Sequence, residues 1–209
     1  MFLEIIETHK NGFLGEWSER SNPEIIVVMP TTDIAQAVMA AQRMSKFAGM
    51  PMRMVIVHDV ARQGFIKTIN AVSNHLKPNY LAYVAQDALA GKNWLKNAYE
   101  QMTAEKKSVC AFNDGQFWGG LAQFGLVRVA FTAKHYGAHH VFCTQYTQHR
   151  ADDELTLLAK LSNEFTFARH ALLMEVDYSL GKKIHQPDIL IYNDRVKAIK
   201  AQFADANTA

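Results

Sequence analysis

Carboxylates fall at three places in this chain where the local sequence would bring them together. Asp59 follows the apolar run 52–57. Asp87 closes the run Tyr80-Leu81-Ala82-Tyr83-Val84-Ala85-Gln86-Asp87. Asp152-Asp153-Glu154 opens an amphipathic segment. Two kinds of chemistry use such residues. A divalent cation needs only one or two carboxylates when phosphate oxygens complete its shell. A hydroxyl nucleophile needs a carboxylate within hydrogen-bond reach to take its proton. Structural roles compete at each place. Asp87 can cap a loop, Asp59 can close a turn, and acids in a first helical turn are favoured by the helix dipole alone.

The elements around these residues read as alternating strands and helices. Glu24-Ile25-Ile26-Val27-Val28-Met29 is a continuous β-rich run stopped by Pro30, the pattern of a strand buried on both faces. Thr31, Thr32 and Asp33 are helix-capping types, and Ile34, Val38, Ala41 and Met44 share one helical face that ends at Gly49 and Pro51. Residues 52–57 form a second buried strand, so the chain opens with a β-α-β unit. A helix over 64–76 and a strand ending at Asp87 follow. Open α/β sheets bind ligands at the carboxyl ends of their strands, where Asp59 and Asp87 would lie. Further on, the pattern predicts a helix over 92–102 and strands over 108–112 and 125–131. Residues 113–125 read as loops with a short hairpin, and 134–150 as a loop around one short strand. A helix opening at Asp152, a strand over 171–176 and a terminal helix over 194–203 complete the reading. Residues 1–22 allow an edge strand over 1–6.

Length and composition narrow the classes. The chain has 209 residues with 49% hydrophobic content, enough for a well-packed core. Its 22 Lys and Arg against 20 Asp and Glu leave +2, too balanced for nucleic acid as the main partner. Two cysteines, Cys110 and Cys143, fit no metal or redox spacing and suit a reducing compartment. No apolar run approaches a membrane span and the start of the sequence lacks a secretory pattern, so a cytoplasmic protein is expected. Attachment at the inner membrane face is not signalled but is left open, as is a homodimer.

Gln63-Gly64-Phe65-Ile66-Lys67-Thr68-Ile69-Asn70 resembles a segment of the family 2 glycosyltransferases of the GT-A fold, with Gln63 where the family has Asn. The surrounding order resembles that family too. Met29-Pro30-Thr31 is similar to the end of its first strand. His58-Asp59 is similar to the end of its second. Gln86-Asp87 followed by Trp94-Leu95 is similar to its D-x-D strand end and later W-L. Asp152-Asp153 opening a helix resembles its Glu-Asp motif. The likeness covers roughly residues 24–178. The chain departs from it at Ala85-Gln86-Asp87, where one carboxylate stands in place of two, and at Glu175-Val176-Asp177, where many members have His.

The resemblance implies a GT-A-like α/β domain: a mostly parallel central sheet flanked by helices in three layers. It would fill residues 1–209, with a nucleotide-binding half over about 24–105, an acceptor half over about 106–180, and a terminal helix and tail over 181–209. It implies transfer of a sugar from a nucleotide-diphosphate sugar, UDP-sugar favoured, to a hydroxyl of a glycan or glycolipid acceptor, such as a cell-envelope polysaccharide, with inversion. Asp87 would anchor Mn²⁺ or Mg²⁺. Pro30, Thr31, Thr32, Asp59, Gly64, Lys67 and Gln86 would line the nucleotide. Asp153 would be the general base, with Asp152 its nearest rival.

Plainer roles stay open for several of these. Lys67 reads first as a solvated lysine and Asn70 as an anchor of the second helix to the sheet, and Thr31 or Thr32 reads also as a cap. Phe117-Trp118 either stacks on an acceptor sugar or packs at a hairpin. His135, His139, His140 and His149 match no zinc spacing and read as loop histidines. Two other functions fit the same outline. A nucleotidyltransferase shares the half-site, but Pro30-Thr31-Thr32-Asp33 is not its Gly-rich basic loop. A binding protein that kept the fold and lost the chemistry would fit the thinned strand end at Asp87.

Overall fold

The computed structural model describes residues 2–9, 12–14, 24–176 and 186–206. Among these residues, nine strands form one mixed sheet in the order β2-β1-β4-β3-β5-β8-β7-β9-β6. The strands are β1 (Phe2–His9), β2 (Gly12–Leu14), β3 (Ile25–Thr31), β4 (Arg53–His58), β5 (Tyr80–Tyr83), β6 (Ala88–Ala90), β7 (Val109–Asn113), β8 (Gly125–Arg128) and β9 (Phe165–Glu175). The helices are α1 (Ile34–Phe47), α2 (Phe65–Leu76), α3 (Trp94–Ala104), α4 (Val129–Tyr136), α5 (Ala151–Leu161) and α6 (Gln186–Ala206).

The β-rich run of β3 is buried on both faces because alternate side chains feed two cores. Ile25, Val27 and Met29 pack with α1 and α3, whereas Ile26 and Val28 pack with α2 and α5. Helices therefore cover both faces, giving three layers. Each fully buried aliphatic side chain contributes about 1.5–3 kcal/mol of transfer free energy. Trp94 is fully buried on the first face, and its indole N–H donates to the Met44 carbonyl at 2.9 Å. Asp33 caps α1 by accepting from the Gln36 N–H at 3.1 Å.

The sheet is not mostly parallel. Four of its strand pairings are parallel and four antiparallel. Within the parallel block β1-β4-β3-β5, α1 connects β3 to β4 and α2 connects β4 to β5. Past it, β8 returns from β7 through residues 114–124 without a crossover helix, so it lies antiparallel between β5 and β7.

Several boundaries differ from the sequence pattern. The strand at Tyr80 stops at Tyr83, and Gln86 and Asp87 form a turn before the short strand β6. The strand expected over 125–131 ends at Arg128. There the ladder is closed by Val129 N–H donating to the Asn79 carbonyl at 3.0 Å, and the buried pair Val129 and Thr132 recurs at helical spacing to start α4. Residues 114–124 contain no strand of their own, being the loop between the antiparallel β7 and β8, and 137–150 contain none either. β9 begins six residues before the expected 171, and α6 begins at Gln186 rather than 194. Among the described residues, no helix is long and apolar enough to cross a membrane.

Candidate functional site

The carboxyl ends of β3, β4 and β5 open on a cavity of about 290 Å³. Pro30, Thr31, Thr32, Asp59, Gly64, Gln86 and Asp87 all line it. A second cavity of about 440 Å³ lies beside it and is lined by Asp152 and Asp153 at the start of α5. The two share Phe65, Ala85 and Glu175 as a common wall. Residues separated by more than 90 positions are thus drawn to one cleft at the sheet edge. Lys67 is exposed on α2 and lines neither cavity.

Asp59 is nearly buried and heavily used. One carboxylate oxygen accepts from the Thr8 hydroxyl at 2.8 Å and the Gln63 N–H at 2.9 Å; the other accepts from the Gly64 N–H at 2.7 Å. It therefore builds the loop that enters α2. Gly64 sits at φ 90° and ψ 165°, a region that penalises any side chain. A Cβ there would also stand 3.2 Å from the Thr147 carbonyl. Asn70 accepts from the N–H groups of Val141 and Phe142 and donates to the Phe142 carbonyl, each at 2.9 Å. It ties α2 to the loop after α4, not to the sheet.

Gln86 is drawn into the frame. Its carbonyl oxygen accepts from the Thr31 hydroxyl and from the Thr32 N–H at 3.2 Å, and its amide donates to Gln36 at 2.7 Å. Asp87 keeps its place at the cavity. Its carbonyl accepts from Val176 N–H at 3.1 Å, and its neighbour Ala88 pairs with Glu175 across β6 and β9. Glu175 is thereby held on the wall shared by both cavities, with Gln123 donating to its carboxylate at 2.7 Å.

The three acids of α5 separate by environment. Asp152 lines the larger cavity, and burial, then the nearby Asp153 charge, pushes its carboxyl up from 3.8 to about 7. Asp153 pairs with the Arg150 guanidinium at 3.3 Å, and that guanidinium lies over the Tyr192 ring at 5.7 Å. Glu154 points away from the cavity and is fully buried. It accepts from Tyr146 at 2.6 Å and forms a two-pronged pair with Arg195 at 2.6 and 2.8 Å.

The terminal helix builds this wall as well. Asp188, fully buried in the first turn of α6, accepts from the N–H groups of Thr147, Gln148 and His149 at 3.0, 2.8 and 2.9 Å. Those residues run directly into Arg150 and the acids. Gln148 and His149 line the larger cavity. Sequence reasoning gave α6 no part in the site. Pro187 followed by Asp188 is a helix-start signature that would have placed its first turn. Nothing local in the sequence marks Glu175 or Arg195, whose partners lie 52 and 41 residues away.

Solved structures share this architecture. The chain superposes on a mannosyltransferase, PcManGT from Pyrobaculum calidifontis, solved in complex with GDP-Man and Mn²⁺, with TM-score 0.55 and 12% identity over 78% of this chain and 59% of that one. It superposes on residues 1–349 of TarS from S. aureus with TM-score 0.57 and 12% identity, over 73% of this chain and 60% of that one. The same protein in complex with UDP gives TM-score 0.56 and 13% identity, over 72% and 59%. The fold is that of the GT-A glycosyltransferases. The chain spans about three fifths of the length of these neighbours. No protein-family model matches it, and no curated protein matches it in sequence.

Proposed function

We propose that this protein is a glycosyltransferase that moves a sugar from a nucleoside-diphosphate sugar, UDP-sugar favoured, to a hydroxyl of a glycan or glycolipid acceptor. The observation that carries the reading is the wall shared by the two cavities at Phe65, Ala85 and Glu175. A donor seated by Thr31, Thr32 and Gly64 would bring its sugar to that wall. An acceptor would reach it from the side of Asp152 and Asp153. Neighbours in fold hold GDP-Man or UDP, which supports the donor class.

In the proposed reaction the acceptor oxygen forms a bond to the anomeric carbon as the bond from that carbon to the diphosphate breaks. The acceptor proton passes to a carboxylate, and the diphosphate leaves with the electron pair. Attack from the face opposite the diphosphate inverts the anomeric centre. Asp152 is the base we favour, because a carboxyl near 7 is matched to its task at neutral pH. Asp153, held by Arg150, is its rival and its neighbouring charge.

Among the described residues, no group of three His, Cys, Asp or Glu side chains could hold a metal ion. A Mg²⁺ or Mn²⁺ site completed by diphosphate oxygens needs no such group, so the residues present fit a cation that arrives with the donor. Asp87 would hold it. It would supply charge stabilisation to the leaving diphosphate.

A second reading is a protein that binds the nucleotide sugar without transferring it. Gln86 favours it, since that side chain is spent on Thr31, Thr32 and Gln36. Incubation with UDP-sugars and glycan acceptors, scoring UDP release, separates the two. Acceptor-dependent release supports transfer. Saturable binding of UDP without release from any donor supports the binder.

A further inference from the structure

At the opposite edge of the sheet, β3 and β5 begin and β8 ends on a third cavity, of about 500 Å³. The seven residues of β3 separate it from the donor cavity, roughly 20 Å of strand. Lys77, Arg128 and His139 line it, with Glu24 the one acid on the wall. Arg128 is the central group. Its guanidinium lies over the Tyr80 ring at 5.7 Å, and Tyr80 is in turn held edge-on by Tyr99 at 5.3 Å. Its Nε is buried and has no acceptor among the described residues, while the residue as a whole is half-buried on the cavity wall. Among the described residues, the guanidinium enters no ion pair.

Buried guanidinium nitrogens are ordinarily hydrogen-bonded, because a buried donor left unmade is costly. Glu24, on the same wall, makes no ion pair with it among the described residues, and burial, then Glu24, pushes the nearby Tyr99 hydroxyl up to about 12. The first turn of α4 opens on the same space at Ala130, past the Val129 N–H that is spent on Asn79, and adds a backbone N–H and a positive dipole end. Lys77 adds a point charge to the wall, exposed and in a left-handed conformation that ends α2. A planar fork, a point charge and a helix start around a concavity of small-molecule size make up a phosphate-recognising set.

We infer that this cavity is a second ligand site, which takes a phosphate-bearing small molecule between Arg128 and Lys77. It does not depend on the glycosyltransferase reading, because no residue is common to the two edges. The test uses the whole chain with chelator present, titrated with inorganic phosphate and with pyrophosphate at constant ionic strength, against sodium chloride alone. Backbone amide resonances are followed. The expected result is saturable shifts at Lys77, Ala130 and His139 below ~10 mM phosphate or pyrophosphate. Arg128→Gln and Lys77→Gln should each weaken that binding about tenfold, the loss of one charge-assisted contact, and Asp87→Asn should leave it unchanged. Lys77 is exposed, so its variant reports even if Arg128→Gln does not fold. Shifts that do not saturate, or that persist undiminished in Lys77→Gln, overturn the site. So does binding to phosphatidylglycerol vesicles with none to free phosphate or pyrophosphate, which would make the surface a lipid contact.

Discussion

Arg195 of α6 closes on Glu154 of α5 with two hydrogen bonds, 2.6 and 2.8 Å long, and the carboxylate it grips is wholly buried. Glu154 is the third acid of a cluster whose other two members face the cavity. The pair therefore fixes the rotation of α5 that presents Asp152 and Asp153. Removing the cation leaves a buried carboxylate without its counter-charge, with Tyr146 still donating to it. Arg195→Met should cost about 3 kcal/mol, the low end for a broken buried pair because the arginine keeps 27% exposure. Urea unfolding measures it; a loss below about 0.5 kcal/mol would show the pair to be energetically idle.

Asp188 holds the backbone of residues 147–149, so its charge bears on the cavity wall more than on the core. Asp188→Asn should cost about 1–3 kcal/mol. It should also speed hydrogen exchange at the Thr147, Gln148 and His149 amides. Unchanged exchange at those three would mean the loop is held by its other contacts.

The Asp152 carboxyl, raised from 3.8 to about 7, makes two pH-dependent outcomes. A folded value above the unfolded one means the native state binds the extra proton. Its contribution to stability is present in full below pH 3.8 and is lost as pH rises to about 7. Activity runs the other way, because the base must be deprotonated: transfer should rise with pH through about 7. Asp152→Asn should remove both inflections and cut transfer by ~10²–10⁴-fold. If the inflection survives in Asp152→Asn and vanishes in Asp153→Asn, the base is Asp153.

Gly64→Ala should destabilise the entry to α2 by about 1–3 kcal/mol, since φ is 90° there and the new methyl meets the Thr147 carbonyl. Thermal unfolding checks it. A neutral effect would show that the turn can relax away from residue 147.

What the sequence made legible was local or periodic. The buried run of β3, the Asp33 cap and the end of β4 beside Asp59 follow from side-chain type and spacing, although β3 continues through Pro30 to Thr31 where the proline reads as a stop. They account for much of the smaller cavity at the carboxyl ends of β3 and β4. The turn at Gln86 and Asp87 was hidden, because apolar residues through Ala85 look like more strand and the break is made by pairing of residue 87 with Val176. The antiparallel half of the sheet was hidden likewise, since no residue in 114–124 announces which way β8 will run. Glu175, Asp188 and Arg195 act through partners far along the chain, and single-sequence patterns carry no trace of such pairings.

The most direct test is calorimetric titration of UDP into the wild type and Asp87→Asn, each with and without Mn²⁺. The expected result is saturable binding to the wild type that Mn²⁺ tightens, with the tightening lost in Asp87→Asn while a metal-independent part remains. Bound at a hundredfold excess over Kd, UDP should also stabilise the fold by about 2.7 kcal/mol. No binding of UDP or any other nucleoside diphosphate at millimolar concentration, with Mn²⁺ present, would contradict a donor site at this edge of the sheet.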